Sequence, residues 1–89
     1  MPTRTVTIVN ELGLHARAAA KFVKLAASFG ATIRVAKVGQ REQVSGSSIL
    51  GLMMLAAGPG DAIEIVTEGA DAEAALQALW ELVSAGFHE

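Results

Sequence analysis

The sequence predicts an α+β fold, a two-layer sandwich in which three helices cover one face of an antiparallel sheet in the order β-α-β-β-α-β-α. Three observations carry this. Polar and apolar residues alternate at Arg4 to Val9, Thr32 to Lys37 and Ala62 to Thr67, the pattern of half-buried strands. Apolar residues recur at helical spacing after His15 and after Asp71. Glycine-containing breaks at Gly13, Gly30, Gly39 and "GPGD" separate these stretches.

In the first strand Val6 and Ile8 share one face and Thr5 and Thr7 the other. Asn10 to Leu14 reads as a loop. From Ala16 to Phe29, Ala19, Phe22, Val23, Ala26 and Ala27 form an apolar stripe opposite Lys21, Lys24 and Ser28, and Gly30 supplies a stop. Thr32 to Lys37 turns Ile33 and Val35 inward. Gly39 suggests a tight hairpin into Gln40 to Val44, a polar run suited to an edge strand. "SILGLMMLAA" predicts a short helix ended by the turn Gly58 to Asp61, and a P-loop is excluded there because no Lys-Ser/Thr follows. The last strand has Ile63 and Ile65 inward. Asp71 is the predicted cap of a final helix with Ala72, Leu76, Leu79 and Val83 on its apolar stripe. Glu73, Gln77 and Glu81 on its polar face exclude a basic membrane-surface helix. The first six elements also match the split βαβ pattern of ferredoxin-like domains, and strand order is not readable from periodicity.

A chain of 89 residues makes one domain, residues 1–89, with a modest core. Because 52% of its residues are apolar, some apolar surface should remain outside as a contact patch. The net charge of −2, with seven scattered basic residues, argues against nucleic acid. Three Phe, one Trp and no Tyr give no base-stacking platform. The absence of cysteine fits the cytoplasm and removes thiolate metal sites. The alternating start "MPTRTVTIVN" is unlike a signal peptide, and the apolar run Ile49 to Gly58 is about half of the ~20 residues that span a bilayer.

The candidate chemistry lies in "GLHARAAAKF", Gly13 to Phe22. A helix begins there on a histidine where Ser, Thr, Asp or Asn is usual. A helix N-terminus directs free N–H groups and a positive dipole at whatever sits before it, which suits a phosphate or carboxylate. Arg17 adds a fork of donors matched to phosphate oxygens. The His15 imidazole at this focus is a nucleophile in an anion site, the description of a phosphoryl acceptor. A loop histidine beside a surface arginine would give the same H-x-R pattern. A triad or zinc role is unsupported, since the other histidine, His88, falls in what reads as a frayed, solvated tail.

A second signal is the short helix. Ile49, Leu52, Met53 and Ala56 make one apolar stripe and Leu50, Met54 and Ala57 another. A surface helix buries one stripe, so the other is either an exposed contact surface, for which adaptable methionines are suited, or wedged into the core. Ser47 or Ser48 can cap this helix. Phosphorylation there would set about −2 charge beside the patch.

Together, these features resemble the HPr family, the histidine phosphocarriers of the phosphoenolpyruvate-dependent phosphotransferase system. The residues that carry the resemblance are "GLHAR" followed by "AAAKFV", and "SSILGLMMLAAGPGDAIEI", in that order and across essentially the whole chain. The resemblance implies an open-faced sandwich, four antiparallel strands under three helices. It implies that His15 is phosphorylated through Nδ1, that Arg17 stabilises the phosphate, and that Ser48 is a regulatory serine. Enzyme I would be the phosphoryl donor, enzyme IIA-type domains the acceptors, and HPr kinase/phosphorylase the partner at Ser48. Ile49, Leu50, Met53 and Met54 are the candidate partner interface. Such a carrier is cytoplasmic and monomeric, is no enzyme on its own, and needs no cofactor or metal. Ala18 stands where the family usually has proline; alanine is the better helix former, so the helix should survive. The wording of the motifs resembles the proteobacterial, nitrogen-type branch. The competing reading is a ferredoxin-like domain that binds a small regulatory ligand and leaves His15 unmodified.

Overall fold

The computed structural model describes residues 1–89 and contains the seven elements in the expected order. They are β1 (Thr3–Thr7), α1 (Ala16–Ala26), β2 (Thr32–Lys37), β3 (Gln43–Ser45), α2 (Ile49–Met54), β4 (Ala62–Glu68) and α3 (Ala72–Ser84), followed by a 3-10 turn at Gly86–His88. Every strand pairing is antiparallel and the sheet order is β1-β4-β2-β3. Each helical crossover, β1-α1-β2 and β3-α2-β4, therefore spans one intervening strand, a split βαβ arrangement used twice.

Alternation decides which face is covered. Val6, Ile8, Ile33, Val35, Ile63 and Ile65 point to the helices and are buried, while Thr5, Thr7 and Arg34 lie on the open face. The registers Val6↔Ile63 and Val35↔Ile65 set these side chains in rows across the sheet. Phe22 of α1, Leu52 of α2, and Leu79 and Val83 of α3 close the core over them with no exposure. At 11 and 13 residues, α1 and α3 take their stability from this shared apolar face more than from propensity.

Several elements are shorter than their sequence patterns. Ile8 leaves the ladder but stays buried, its N–H donating to Asp61 O at 2.8 Å and its carbonyl accepting from Gly60 N at 2.9 Å. Helix α1 stops at Ala26, and the amides of Ser28 and Phe29 close a final turn onto Leu25 and Ala26. Strand β3 starts only at Gln43.

Asp71 is a correction to the expected cap. It occupies the position before α3, yet its side chain bonds to no α3 amide. Its Oδ2 accepts instead from Gly30 N at 2.8 Å, joining the turn after α1 to the start of α3. The two predicted stripes of α2 are also corrected. Leu52, Leu55 and Ala57 are the buried residues, whereas Ile49 and Met53, grouped with Leu52 by spacing, are 41% and 40% exposed, and Leu50 and Met54, grouped with Ala57, are exposed. Six residues of helix offer only one narrow line to the core, and Leu55 extends that line just past the helix end.

Candidate functional site

The loop before α1 is built on backbone bonds. Asn10 begins it, accepting from Gly13 N at 3.1 Å and donating from Nδ2 to Gly13 O at 2.9 Å. Gly13 has φ of +63°, a left-handed conformation open to glycine, and it lies against the Ala57–Gly58 backbone. Leu14 N then donates to Ala57 O at 2.9 Å. The segment that delivers His15 is thus tied to the end of α2.

His15 is the N-cap of α1, with extended backbone (φ −80°, ψ 179°). Its carbonyl accepts from Ala19 N at 2.9 Å, and its own Nδ1 accepts from Arg17 N at 3.3 Å. The ring therefore does the work of a capping oxygen, through a longer bond. On its other edge Nε2 lies 3.0 Å from both carboxylate oxygens of Glu89. A backbone amide can only donate and a carboxylate can only accept, so this pattern assigns the ring proton to Nε2 and leaves the Nδ1 lone pair toward the helix. The His15 side chain is 24% exposed, within reach of another molecule.

Glu89 is itself held. Asn10 Nδ2 donates to its Oε1 at 3.2 Å and Lys21 Nζ lies 4.0 Å from Oε2. The His15 hydrogen bond first, then the Asn10 amide and the positive charge of Lys21, keep its carboxyl below the ordinary glutamate range against a desolvation cost. The tail that carries Glu89 is anchored, which corrects the expectation of fraying. Phe87 is wholly buried, and Lys21 Nζ donates to its carbonyl at 2.7 Å. His88 is exposed, as expected of it. Its neighbours, however, are packed.

Arg17 is exposed, and its guanidinium is engaged by no protein group; it borders a surface depression with Asn10, Glu11, Leu12 and Glu89. No acidic residue occupies the first turn of α1. At the far end of α2 from the His15 loop, Ser48 is the N-cap, its Oγ accepting from Gly51 N at 2.9 Å. Ser47 bonds to Ser45 instead. Leu50 and Met54 are 68% and 74% exposed, and with Ile49 and Met53 they leave an apolar face on α2. The structure brings His15 and Arg17 together and places Ser48 and the α2 face on the neighbouring helix, which packs against α1. Sequence reasoning missed Glu89 as a neighbour of His15, and Asn10 and Lys21 as the groups that hold Glu89. Asn10 was visible as a turn former, but nothing in the spacing linked Glu89 to a residue 74 positions away.

A family model described as the PTS HPr component phosphorylation site matches residues 2–85 of this chain. The chain belongs to the HPr family. It is 47% identical to the phosphocarrier protein HPr of Pseudomonas aeruginosa over 89 residues, covering 100% of this chain and 98% of that one. It is 49% identical to the phosphocarrier protein NPr of Shewanella violacea over 86 residues, 97% of this chain and 92% of the relative. Among solved structures it is similar to HPr-C-His from Thermoanaerobacter tengcongensis, with a TM-score of 0.92, 39% identity and coverage of 100% and 98%. The four-stranded open sheet under three helices is the HPr fold. No helix is long and apolar enough to cross a membrane.

Proposed function

We propose that His15 is the phosphoryl-carrying residue of a phosphocarrier of the phosphotransferase system, accepting through Nδ1 from phosphorylated enzyme I and donating to an enzyme IIA-type domain. Family membership carries the function, and it removes the case for a ferredoxin-like ligand-binding domain. The observation that supports the residue is the orientation of the ring: Nδ1 faces the helix N-terminus beside Arg17, while Nε2 is occupied by Glu89.

In the transfer, the Nδ1 lone pair forms the new N–P bond as the donor's bond to phosphorus breaks and its electron pair leaves with the donor. A phosphorus placed on the resting lone pair would fall within the 3.3 Å that separates Nδ1 from Arg17 N. The bond from Arg17 N to Nδ1 must therefore open, and the phosphoryl oxygens replace the ring as acceptors for the first-turn amide. The exposed guanidinium of Arg17 neutralises the same oxygens. Alignment and charge neutralisation are most of what phosphoryl transfer needs, and two docked proteins supply both. The chain is then a carrier, used and regenerated, with catalysis shared by its partners.

The exposed side chains Ile49, Leu50, Met53 and Met54 form the docking face in this reading, and Ser48 is a regulatory phosphorylation site for an HPr kinase/phosphorylase. The carrier is cytoplasmic and a monomer, so that one site and one face serve partners in turn. Identities to relatives named HPr and NPr are alike, which leaves sugar uptake and nitrogen-type regulation as outputs set by the partner. The test is incubation with enzyme I, Mg²⁺ and phosphoenolpyruvate, followed by intact mass. One phosphoryl group that is lost in mild acid and absent from His15→Ala is expected. Phosphorylation of the alanine variant would refute the assignment of His15.

A further inference from the structure

We propose that Glu89 is a positioning residue for phosphoryl transfer: its carboxylate fixes the proton of His15 on Nε2 and keeps it there while Nδ1 gains and loses the phosphoryl group. This deepens the function proposed above and rests on His15 as the carrier residue.

Three features of the site carry the inference. Both oxygens of Glu89 lie 3.0 Å from Nε2, so a small rotation of either side chain leaves an acceptor in place. The side chain is only 18% exposed and its carboxylate is steadied from two other elements, by Asn10 of the loop and Lys21 of α1. Its backbone is locked as well. Phe87 fills the core, Phe87 and His88 both adopt positive φ (58° and 59°), and Glu89 N donates to Gly86 O at 3.2 Å. A solvated tail residue would need none of this. The charged groups around the ring are Glu89, Arg17, Lys21 and, bordering the Arg17 depression, Glu11. Of these, Glu89 alone bonds to the imidazole.

The chemistry gives this contact a purpose. When the lone pair of neutral Nδ1 forms its bond to phosphorus, the Nε2 proton has no need to leave, and the ring becomes a cation. A carboxylate on Nε2–H stabilises that cation through a charge-assisted hydrogen bond. In the onward step the N–P bond breaks and its electron pair returns to Nδ1. A ring that still holds its Nε2 proton departs as neutral imidazole; a ring that has lost it would depart as imidazolate, a far poorer leaving group. Glu89 thus favours donation as well as acceptance, and no proton enters or leaves in either step.

The experiment combines ring-¹⁵N NMR of the whole chain with single-turnover transfer, on wild type, Glu89→Ala and Glu89→Gln. In wild type, Nδ1 is expected at an unprotonated shift and Nε2 to show a bonded proton in slow exchange with water. Glu89→Ala should lose the Nε2–H signal to exchange and transfer from phosphorylated protein to a IIA-type acceptor about tenfold more slowly, the weight of one hydrogen bond to a charged group. Glu89→Gln keeps a neutral acceptor, so it should restore the Nε2–H signal but not the full transfer rate. That split separates a charge effect from tail packing. An alanine variant with a persistent Nε2–H signal and wild-type transfer would overturn the proposal. Wild-type protein that takes no phosphoryl group on His15 would instead overturn the carrier assignment, while the NMR arm still reports on the Glu89 contact.

Discussion

Replacing Gly13 by alanine tests how the fold delivers its histidine. A Cβ at this position would lie 2.4 Å from Ala57 O and 2.8 Å from Gly58 Cα, both backbone atoms that cannot turn aside. The residue also has φ of +63°, where an L side chain costs about 1–2 kcal/mol. Forcing a methyl into a closed contact adds about 1–3 kcal/mol. A total near 3 kcal/mol corresponds to a fall in Tm of about 12–24 °C for a domain of this size. Gly39→Ala is the control. Gly39 has φ of +93°, but a methyl added there would meet nothing within 4 Å, so only the conformational cost applies and the loss should stay near 1–2 kcal/mol. Thermal and urea unfolding of both variants measure the difference directly. Phosphorylation by enzyme I should also slow in Gly13→Ala alone, because relief of the clash stretches the 2.9 Å bond from Leu14 N to Ala57 O and shifts the residue before His15. Equal stability losses in the two variants would refute the argument that close approach to α2 positions the site.

Two further outcomes follow from named contacts. Ser48→Ala removes the acceptor for Gly51 N and should cost about 1 kcal/mol in urea unfolding; Ser48→Asp keeps an acceptor at the helix start, so it should fold well yet bind enzyme I more weakly by calorimetry, and unchanged affinity would discard the regulatory proposal. Acid stability should depend on two carboxylates whose pKa values are lowered in the folded state, Glu89 by its His15 bond and Asp61 by the Gly58 amide with Lys37. A lowered folded pKa stabilises fully above the ordinary values of 4.5 and 3.8 and is lost as pH falls through the folded ones. Tm should therefore hold until pH approaches 4.5 and decline below it, with a shallower decline in Asp61→Asn; an identical slope in that variant would contradict the role of Asp61.

Period-two alternation at Val6–Ile8, Ile33–Val35 and Ile63–Ile65 was enough to identify the covered sheet face, because side chains of a strand must alternate between faces. Helical spacing around Phe22, Leu76 and Leu79 did the same for the two long helices. The short helix was less legible. Its residues Ile49 to Leu55 are nearly all apolar, so composition could not say that Leu52 and Leu55 go in while Leu50 and Met54 stay out. Asp71 shows the same limit for polar groups: a good capping residue was drawn instead to Gly30 N, an amide brought near only by the packed turn.

His15 and Arg17 were legible as a candidate site because both their chemistry and their helix-start position are local properties. Their surroundings were not. The sheet order β1-β4-β2-β3, the tie from Leu14 to Ala57 and the contact between His15 and Glu89 each join residues distant in the chain. Local pattern records how a segment meets solvent and core, but not which other segment it meets. That choice is made when the helices close over the sheet and Phe87 enters the core, carrying a carboxylate to the imidazole it steadies.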